Sequence, residues 1–165
     1  VMTNEGLRRY AKEQELNLEC TDVGDRNVLE RMLEKGYALG GEQSGHMIFR
    51  KHATTGDGQL TALQILALLK ESGKKASEIF GACPRYPQSL VNVPVADNDV
   101  KKSVMASTEL AQAIQAVEEK LAETGRVLVR PSGTEALMRV MVEAQTEDAA
   151  RSAAEELASL IRKMA

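Results

Sequence analysis

Apolar positions in the first part of the chain alternate between helical spacing and short continuous runs. Residues 6–16 carry loosely helical apolar positions, and Leu18 to Val23 is an apolar-rich run typical of a strand. From Asp25 to Lys35 the apolar side chains share one helical face, and Gly36 stands where a helix is expected to stop. The order predicted here is therefore helix, strand, helix.

The next segments continue this alternation around a glycine-rich loop. Tyr37–Gly41 and His46–Lys51 are predicted to be extended. Thr55–Gly58 is a helix start with an oxygen-bearing cap and a carboxylate in the first turn, and it precedes an apolar helix that ends near Ser72–Gly73. Alternating units of this kind predict an α/β layer with parallel strands in a mixed sheet.

A change of pattern near Pro84–Pro87 indicates a domain boundary, because neither proline can continue a helix. We predict one domain over 1–86, an incomplete α/β unit, and a second over 87–165. The second is predicted to be a small α+β domain with a mainly antiparallel sheet and helices on one face. Its predicted elements are strand Ser89–Val95, helix Thr108–Glu123, strands Arg126–Arg130 and Leu137–Ala144, and a helix from Thr146 onward.

Composition narrows the classes of function. Lys and Arg total 21 against 24 Asp and Glu, a net charge of −3 without the basic stripe of a nucleic-acid binder. Two Phe, three Tyr and no Trp leave few stacking platforms, so a pocket is expected to be polar.

No apolar run approaches the roughly 20 residues that a membrane helix needs. Cys20 and Cys83 have no metal-site spacing, and we expect two reduced, partly buried thiols in a cytoplasmic protein.

The beginning of the chain suggests a longer parent protein. It opens Val1-Met2-Thr3 with neither an initiating Met nor a cationic and apolar leader. We therefore expect a piece of a larger protein. A truncated first domain would lack an early strand, and its open sheet edge predicts self-association.

The segment Arg130-Pro131-Ser132-Gly133-Thr134-Glu135 is the sharpest chemical signal. A guanidinium, two hydroxyls and a glycine amide in one tight turn can surround a phosphate with charged and backbone donors. Arg139 on the following strand adds a second positive charge. The alternative is that Pro-Ser-Gly-Thr is only turn chemistry.

A second candidate segment is Gly40-Gly41-Glu42-Gln43-Ser44-Gly45-His46. On an extended backbone Glu42 and Ser44 point the same way, so they could bind adjacent sugar hydroxyls with His46 beside them. The alternative is a glycine-rich reversal with a surface histidine. A hydrolase triad of Ser44, His46 and Asp57 is disfavoured, since the G-x-S-x-G elbow is missing.

Two further segments carry oxygen ligands or charge. Val23-Gly24-Asp25-Arg26 lies at a strand-to-helix junction, where ligands collect in open α/β sheets, although Asp25 is equally explained as a helix cap. Asp97-Asn98-Asp99 is interpreted as an ordinary turn rather than a metal site, because no further acid stands at useful spacing.

Four segments taken in order resemble the α-D-phosphohexomutase superfamily, and the resemblance extends over essentially the whole chain. They are Val23-Gly24-Asp25-Arg26, Gly41-Glu42-Gln43-Ser44-Gly45-His46, Thr54-Thr55-Gly56-Asp57-Gly58 and Arg130-Pro131-Ser132-Gly133-Thr134-Glu135. The resemblance implies a four-domain bacterial enzyme. That enzyme interconverts glucosamine 6-phosphate and glucosamine 1-phosphate through a phosphoserine and a bisphosphate intermediate, with Mg²⁺, in the synthesis of cell-wall precursors. The family's Ser-His-Asn and Asp-x-Asp-x-Asp loops have no counterpart in this sequence. The resemblance therefore assigns neither a nucleophile nor a metal ligand to this chain, and predicts that it is inactive alone.

The same resemblance distributes binding roles by position. Gly24, Asp25 and Arg26 match a loop that orients the substrate, whereas Glu42 and Ser44 match the sugar-binding loop, with His46 a candidate for proton transfer. Arg130, Ser132, Gly133 and Thr134 match the phosphate-binding loop, joined by Arg139. One departure is Ala136, which stands where the family usually has proline.

Two alternatives remain open from the sequence. The parent could act on mannose or glucose phosphates, or the chain could be a phosphate-binding module without catalytic partners. In each case the expected partner is a phosphosugar or phosphate rather than a nucleic acid or a membrane.

Overall fold

The computed structural model describes residues 1–122 and 124–165, which form two compact units. The first unit comprises Val1–Arg85 and the second Tyr86–Ala165. The first contains helices α1 (Glu5–Glu13), α2 (Asp25–Lys35), α3 (Gly58–Ser72) and α4 (Ala76–Phe80), with strands β1 (Leu39–Gly41) and β2 (Met47–Phe49) between α2 and α3.

The bounds of α2 and α3 follow from local signals. As predicted, α2 covers Asp25–Lys35 and stops at Gly36, which has a left-handed backbone conformation. Asp57 caps α3, because its Oδ1 accepts a hydrogen bond from the Leu60 amide at 2.9 Å. The prediction of a carboxylate inside the first turn was wrong, since the carboxylate belongs to the cap itself.

Two expectations for the first unit were also wrong. Leu18 to Val23 forms no strand, and the two described strands pair antiparallel rather than parallel. A strand exists only where a neighbour supplies the hydrogen-bonding partners, and no strand of the described residues lies beside this run. Within this run, the Thr21 carbonyl accepts a hydrogen bond from the Val1 amino group.

The first unit has a small core. Among its described residues, the apolar side chains that are buried are only Ala11, Met32 and Ile48. By contrast, α3 exposes Leu63 and Leu66 by 64% and 61%. The unit therefore depends on local hydrogen bonds and turns more than on packed apolar area.

The second unit is a three-stranded sheet covered by three helices. Its strands are β3 (Gln88–Pro94), β4 (Arg126–Pro131) and β5 (Leu137–Glu143), arranged in the order β3-β5-β4 and antiparallel throughout. Its helices are α5 (Asn98–Met105), α6 (Thr108–Leu121) and α7 (Glu147–Met164). This is the predicted arrangement of a small antiparallel sheet with helices.

Alternation along the strands separates a core face from an outer face. Val140 of β5 stands opposite Val91 and Val129, and all three belong to or pack against the core formed with the helices. The intervening positions place Arg130 opposite Arg139 on the other face. The register therefore decides which side chains are buried and which surround the loop after β4.

Two smaller predictions were wrong, and a third falls outside the described residues. Asp97-Asn98-Asp99 is no ordinary turn: the Asp97 carboxylate caps α5, a helix that the sequence did not predict. Cys20 is exposed rather than partly buried, while partial burial raises the pKa of the Cys83 thiol. The predicted end of the middle helix, Glu123, lies outside the described residues.

No helix of the described residues combines the length and the apolar character that a membrane-spanning segment requires.

We expect the buried pair Arg126 and Glu143 to dominate the stability of the second unit's outer face. Glu143 is fully buried and its Oε2 accepts a hydrogen bond from Arg126 Nε at 2.8 Å. Glu143→Ala leaves a largely buried guanidinium without this carboxylate, which is expected to lower the free energy of unfolding by about 3 kcal/mol. Urea unfolding, followed through the backbone amides of the second unit, measures this free energy. Glu118→Ala, at an exposed site, should change the value by less than about 0.5 kcal/mol; equal losses in the two variants would contradict the prediction.

Candidate functional site

The turn between β1 and β2 is a tight reversal that packs on α2. The Glu42 carbonyl accepts a hydrogen bond from the Gly45 amide at 3.0 Å, and the Glu42 amide donates to His46 O at 2.9 Å. Gly45 has φ +97°, a backbone conformation that favours glycine. A side chain at Gly40 would lie 2.4 Å from Met32 Sδ, so glycine allows the hairpin to approach the helix closely.

Glu42 connects this turn to the start of α2. Its Oε1 accepts a hydrogen bond from the Gly24 amide at 3.0 Å, and its Oε2 lies 3.6 Å from Nδ1 of His46. The Glu42 side chain is 18% exposed, whereas that of His46 is 64% exposed. The structure therefore brings together three of the predicted residues, Gly24, Glu42 and His46. The Gly24 amide holds the Glu42 carboxylate, and the His46 imidazole beside it is accessible to solvent.

The other three predicted residues of this unit do not join that cluster. Asp25 Oδ1 accepts from the Arg26 amide at 2.8 Å, and Arg26 Nε donates to Glu30 Oε1 at 2.8 Å. The hydrogen bond and the attraction of Glu30 raise the pKa of Arg26. Ser44 is exposed in the turn. Glu42 and Ser44 are thus not a matched pair, because the turn replaces the extended backbone that the sequence suggested.

A groove of about 640 Å³ lies next to the turn. The groove reaches Glu42 and Ser44 at one side, and most of its other wall is apolar. Its apolar lining residues include Leu7, Leu18, Val23, Val28, Met32, Leu39 and Met47. Polar side chains such as Asn17, Glu19 and Asp22 also line it, but the groove is mainly apolar, so the expectation of a polar pocket was wrong here. The carboxylate of Asp57, the third member of the disfavoured triad, is occupied as the cap of α3.

The loop that joins β4 to β5 is closed by hydrogen bonds among its own residues. The Ser132 amide donates to Leu137 O at 2.9 Å, and the Glu135 amide donates to Ser132 Oγ at 3.2 Å. Ser132 is only 4% exposed, whereas Gly133 and Thr134 are exposed. The amides of Gly133 and Thr134 make no hydrogen bond to any described residue. The loop therefore presents two free backbone donors to solvent.

Two arginines stand beside this loop on neighbouring strands. Arg130 and Arg139 are directly opposite in the β4–β5 register, an unfavourable position for like charges. Glu135 offsets part of this repulsion, because its Oε2 accepts from Arg139 Nη2 at 2.8 Å. Arg130 forms no hydrogen bond or ion pair with the described residues. The geometry therefore leaves the Arg130 guanidinium available to an anion and holds Arg139 against a carboxylate.

Sequence reasoning missed a residue that contacts the same loop. Lys101 of α5 is 7% exposed, and its Nζ donates to Ser132 O at 2.8 Å and to Glu135 O at 2.6 Å. A single lysine beside another lysine has no distinctive sequence pattern. The only available signal was its place one turn after the Asp97 cap, which would have required α5 to be predicted first.

The described residues contain no group of three or more His, Cys, Asp or Glu side chains that could hold a metal ion. The residues present therefore do not fit a resident magnesium ion.

Comparison with protein families places both units in one family. A model described as phosphoglucomutase/phosphomannomutase, alpha/beta/alpha domain III, matches residues 1–86, and the C-terminal domain model of the same family matches residues 90–160. The chain belongs to the phosphoglucomutase/phosphomannomutase family. The domain III match includes the Glu42 turn, and the C-terminal match includes the loop between β4 and β5.

Individual members of the phosphoglucomutase/phosphomannomutase family are closely similar in sequence. Phosphoglucosamine mutase of Caldicellulosiruptor saccharolyticus is 53% identical over 98% of this chain, and that of Geobacillus kaustophilus is 50% identical over 99%. The chain spans about a third, 36%, of the length of each of these relatives.

Solved structures of family members share the fold. N-acetylphosphoglucosamine mutase of Aspergillus fumigatus matches with a TM-score of 0.83 at 21% identity, covering 99% of this chain and 37% of that one. The same enzyme in complex with GlcNAc-6P and magnesium matches with a TM-score of 0.79 at 20% identity, covering 98% and 37%. At this identity the likeness concerns the fold alone.

The hydrogen bond between Gly24 and Glu42 is expected to be visible in amide exchange. Glu42→Ala removes the charged acceptor, so exchange of the Gly24 amide should accelerate roughly tenfold or more. Ser44→Ala, at an exposed position of the same turn, should leave that rate unchanged. Hydrogen exchange read by NMR makes the comparison, and an unaltered Gly24 rate in Glu42→Ala would show that the carboxylate does not hold this loop.

Proposed function

We propose that this chain is the C-terminal part of a phosphoglucosamine mutase and supplies binding of the substrate's sugar and phosphate. The parent reaction interconverts glucosamine 6-phosphate and glucosamine 1-phosphate. The proposal is supported by the family membership and by 50–53% identity to relatives of that name over nearly the whole chain. One observation carries the role of the chain itself: the amides of Gly133 and Thr134, free of described partners, beside the unpaired Arg130.

The phosphate-binding role follows from the donors in the second unit. Arg130 offers a planar set of charged N–H groups, and two successive free amides offer neutral donors to the same small anion. Thr134 adds an exposed hydroxyl. The buried Ser132 keeps the turn closed through its Oγ, so we assign it to the shape of the loop and to one hydroxyl donor at its base. Arg139 contributes positive charge at longer range, since Glu135 already holds it.

The sugar-binding role is assigned to the first unit's turn. Glu42 is held through Gly24, so its remaining acceptor capacity is fixed in direction and can accept from a sugar hydroxyl. Ser44 contributes a hydroxyl from the exposed turn. His46 is the candidate for proton transfer, because its ring is accessible and lies beside a carboxylate. Gly24 and the first two residues of α2, Asp25 and Arg26, are assigned to orienting the substrate.

Separate binding groups for the phosphate and for the sugar suit a mutase. The enzyme must present either the 1- or the 6-position of one sugar to a single nucleophile, so the non-reacting phosphate and the middle hydroxyls require the same binding groups in both orientations. The phosphoserine and the bisphosphate intermediate are assigned to the remainder of the parent protein. The chain alone is then a binding component that positions substrate without transferring the phosphoryl group.

Magnesium is proposed as a cofactor of the parent protein. A family member of the same fold was solved with GlcNAc-6P and magnesium. When bound, the ion would neutralise charge on the phosphoryl group in transfer. The described residues lack a fitting ligand group, so the ion is assigned outside them.

Phosphate binding tests the role of Arg130. Titrating the chain with inorganic phosphate should shift the amide signals of residues 130–134. Arg130→Ala should raise the Kd for phosphate roughly tenfold or more, because it removes a charge-assisted donor. Arg151→Ala removes an exposed arginine from α7 and should leave the Kd unchanged. Absence of a wild-type response, or an equal loss in both variants, would refute the phosphate-binding role.

Substrate choice is tested on a longer protein that contains this chain. We expect faster turnover of glucosamine 6-phosphate than of mannose or glucose 6-phosphate, and no turnover by residues 1–165 alone. A coupled assay of the three sugar phosphates measures the preference. Equal or greater activity on mannose phosphate would favour a phosphomannomutase, whereas inactivity on all three would favour a binding module.

A further inference from the structure

We propose that Lys101 is a positioning residue for phosphate binding, acting through the backbone of the loop between β4 and β5. The inference rests on the proposed phosphate-binding role of that loop. It concerns a residue outside the segment that carries the resemblance, on a different element, and 31 positions before Ser132 in sequence.

The first argument is the direction of the peptide groups. In a planar trans peptide the carbonyl of one residue and the amide of the next point in opposite directions. Lys101 Nζ draws the Ser132 carbonyl toward α5 at 2.8 Å, so the Gly133 amide is turned away from the helix and toward solvent. The same ammonium holds the Glu135 carbonyl at 2.6 Å. One side chain thereby fixes both ends of the segment that carries the two free amides.

The second argument is charge. Lysine is rarely buried without a paired carboxylate, yet Lys101 is 7% exposed and forms no ion pair with the described residues. Its two described acceptors are neutral carbonyls. A buried positive charge therefore lies directly beneath the loop, where a bound anion would compensate it. The neighbouring Lys102 differs, since its ammonium is exposed and pairs with Asp99 at 3.1 Å.

These two arguments distinguish Lys101 from an ordinary packing residue. Leu or Met at this position could fill the volume but would neither orient the carbonyls nor supply the charge. We therefore expect loss of the ammonium to weaken phosphate binding even where the sheet and helices of the second unit are intact.

The experiment uses the 165-residue chain, inorganic phosphate and a matched pair of variants. Lys101→Met should raise the Kd roughly tenfold or more, as expected for loss of a charged hydrogen-bonding group. Lys102→Met, the adjacent exposed lysine, should stay within about twofold of wild type. Lys101→Arg, which keeps a cationic donor, should recover part of the lost affinity. Amide shifts of β3 and α7 report whether each variant is folded.

A measurement on the wild-type chain covers the case in which Lys101→Met does not fold. Selective labelling of lysine side chains with ¹⁵N gives the Lys101 Nζ signal, which should shift during the phosphate titration with the same midpoint as the Gly133 amide. A packing role would leave that signal in place. An unmoved Nζ signal at saturation, or wild-type affinity in a folded Lys101→Met chain, overturns this inference alone. No phosphate response in the wild-type chain overturns the phosphate-binding role and this inference together.

Discussion

The register of β5 between β3 and β4 is the constraint on which the second unit depends. Successive side chains of a strand alternate between faces, so this register places Val140 in the core and Arg139 on the opposite face. A slip of one residue would exchange those faces and bury a guanidinium beneath α7. The same register brings Arg130 and Arg139 side by side. The apolar core and the position of the positive charges are therefore two results of one pairing.

That pairing has an electrostatic cost that the loop after β4 partly offsets. Two guanidiniums directly opposite repel each other, and Glu135 neutralises only Arg139. The residual charge on Arg130 sits beside amides that have no described acceptor. An anion at this point would relieve repulsion and satisfy donors at once. The loop thus retains an unfavourable arrangement in the free chain that a ligand of opposite charge improves.

Much of the fold could be predicted from the sequence because its signals are local. The oxygen-bearing cap of α3, the glycine stops of α2 and α3, and the alternation in β4 and β5 are contained within a few neighbouring residues. The interpretation of Asp25 as the cap of α2 was wrong, since Gly24 stands at the cap position and no side chain caps that helix. Leu18 to Val23 shows the limit of such reasoning, since apolar residues define a strand only when another strand lies alongside. Helix α5 was missed because Asp97 and Asp99 are equally typical of a turn.

The candidate site was predictable to a similar degree. The sequence indicated the two loops, and the structure brings Gly24, Glu42 and His46 together as one cluster. It could not show that Asp25 and Arg26 turn to their own helix, or that the Ser132 side chain is buried. Lys101 could not be found because its contacts join residues 31 and 34 positions apart. Such contacts depend on tertiary packing, which leaves no local pattern.

The sparse core of the first unit has a consequence for how its turn would respond to a ligand. With few buried apolar side chains besides Met32 and Ile48, little packing energy opposes local opening of the hairpin. A ligand that binds only the closed turn must supply part of the ordering free energy, and in return it raises the stability of the unit by mass action. Affinity and local folding in this unit are then linked quantities, so that a substitution far from the turn can weaken binding by favouring the open state.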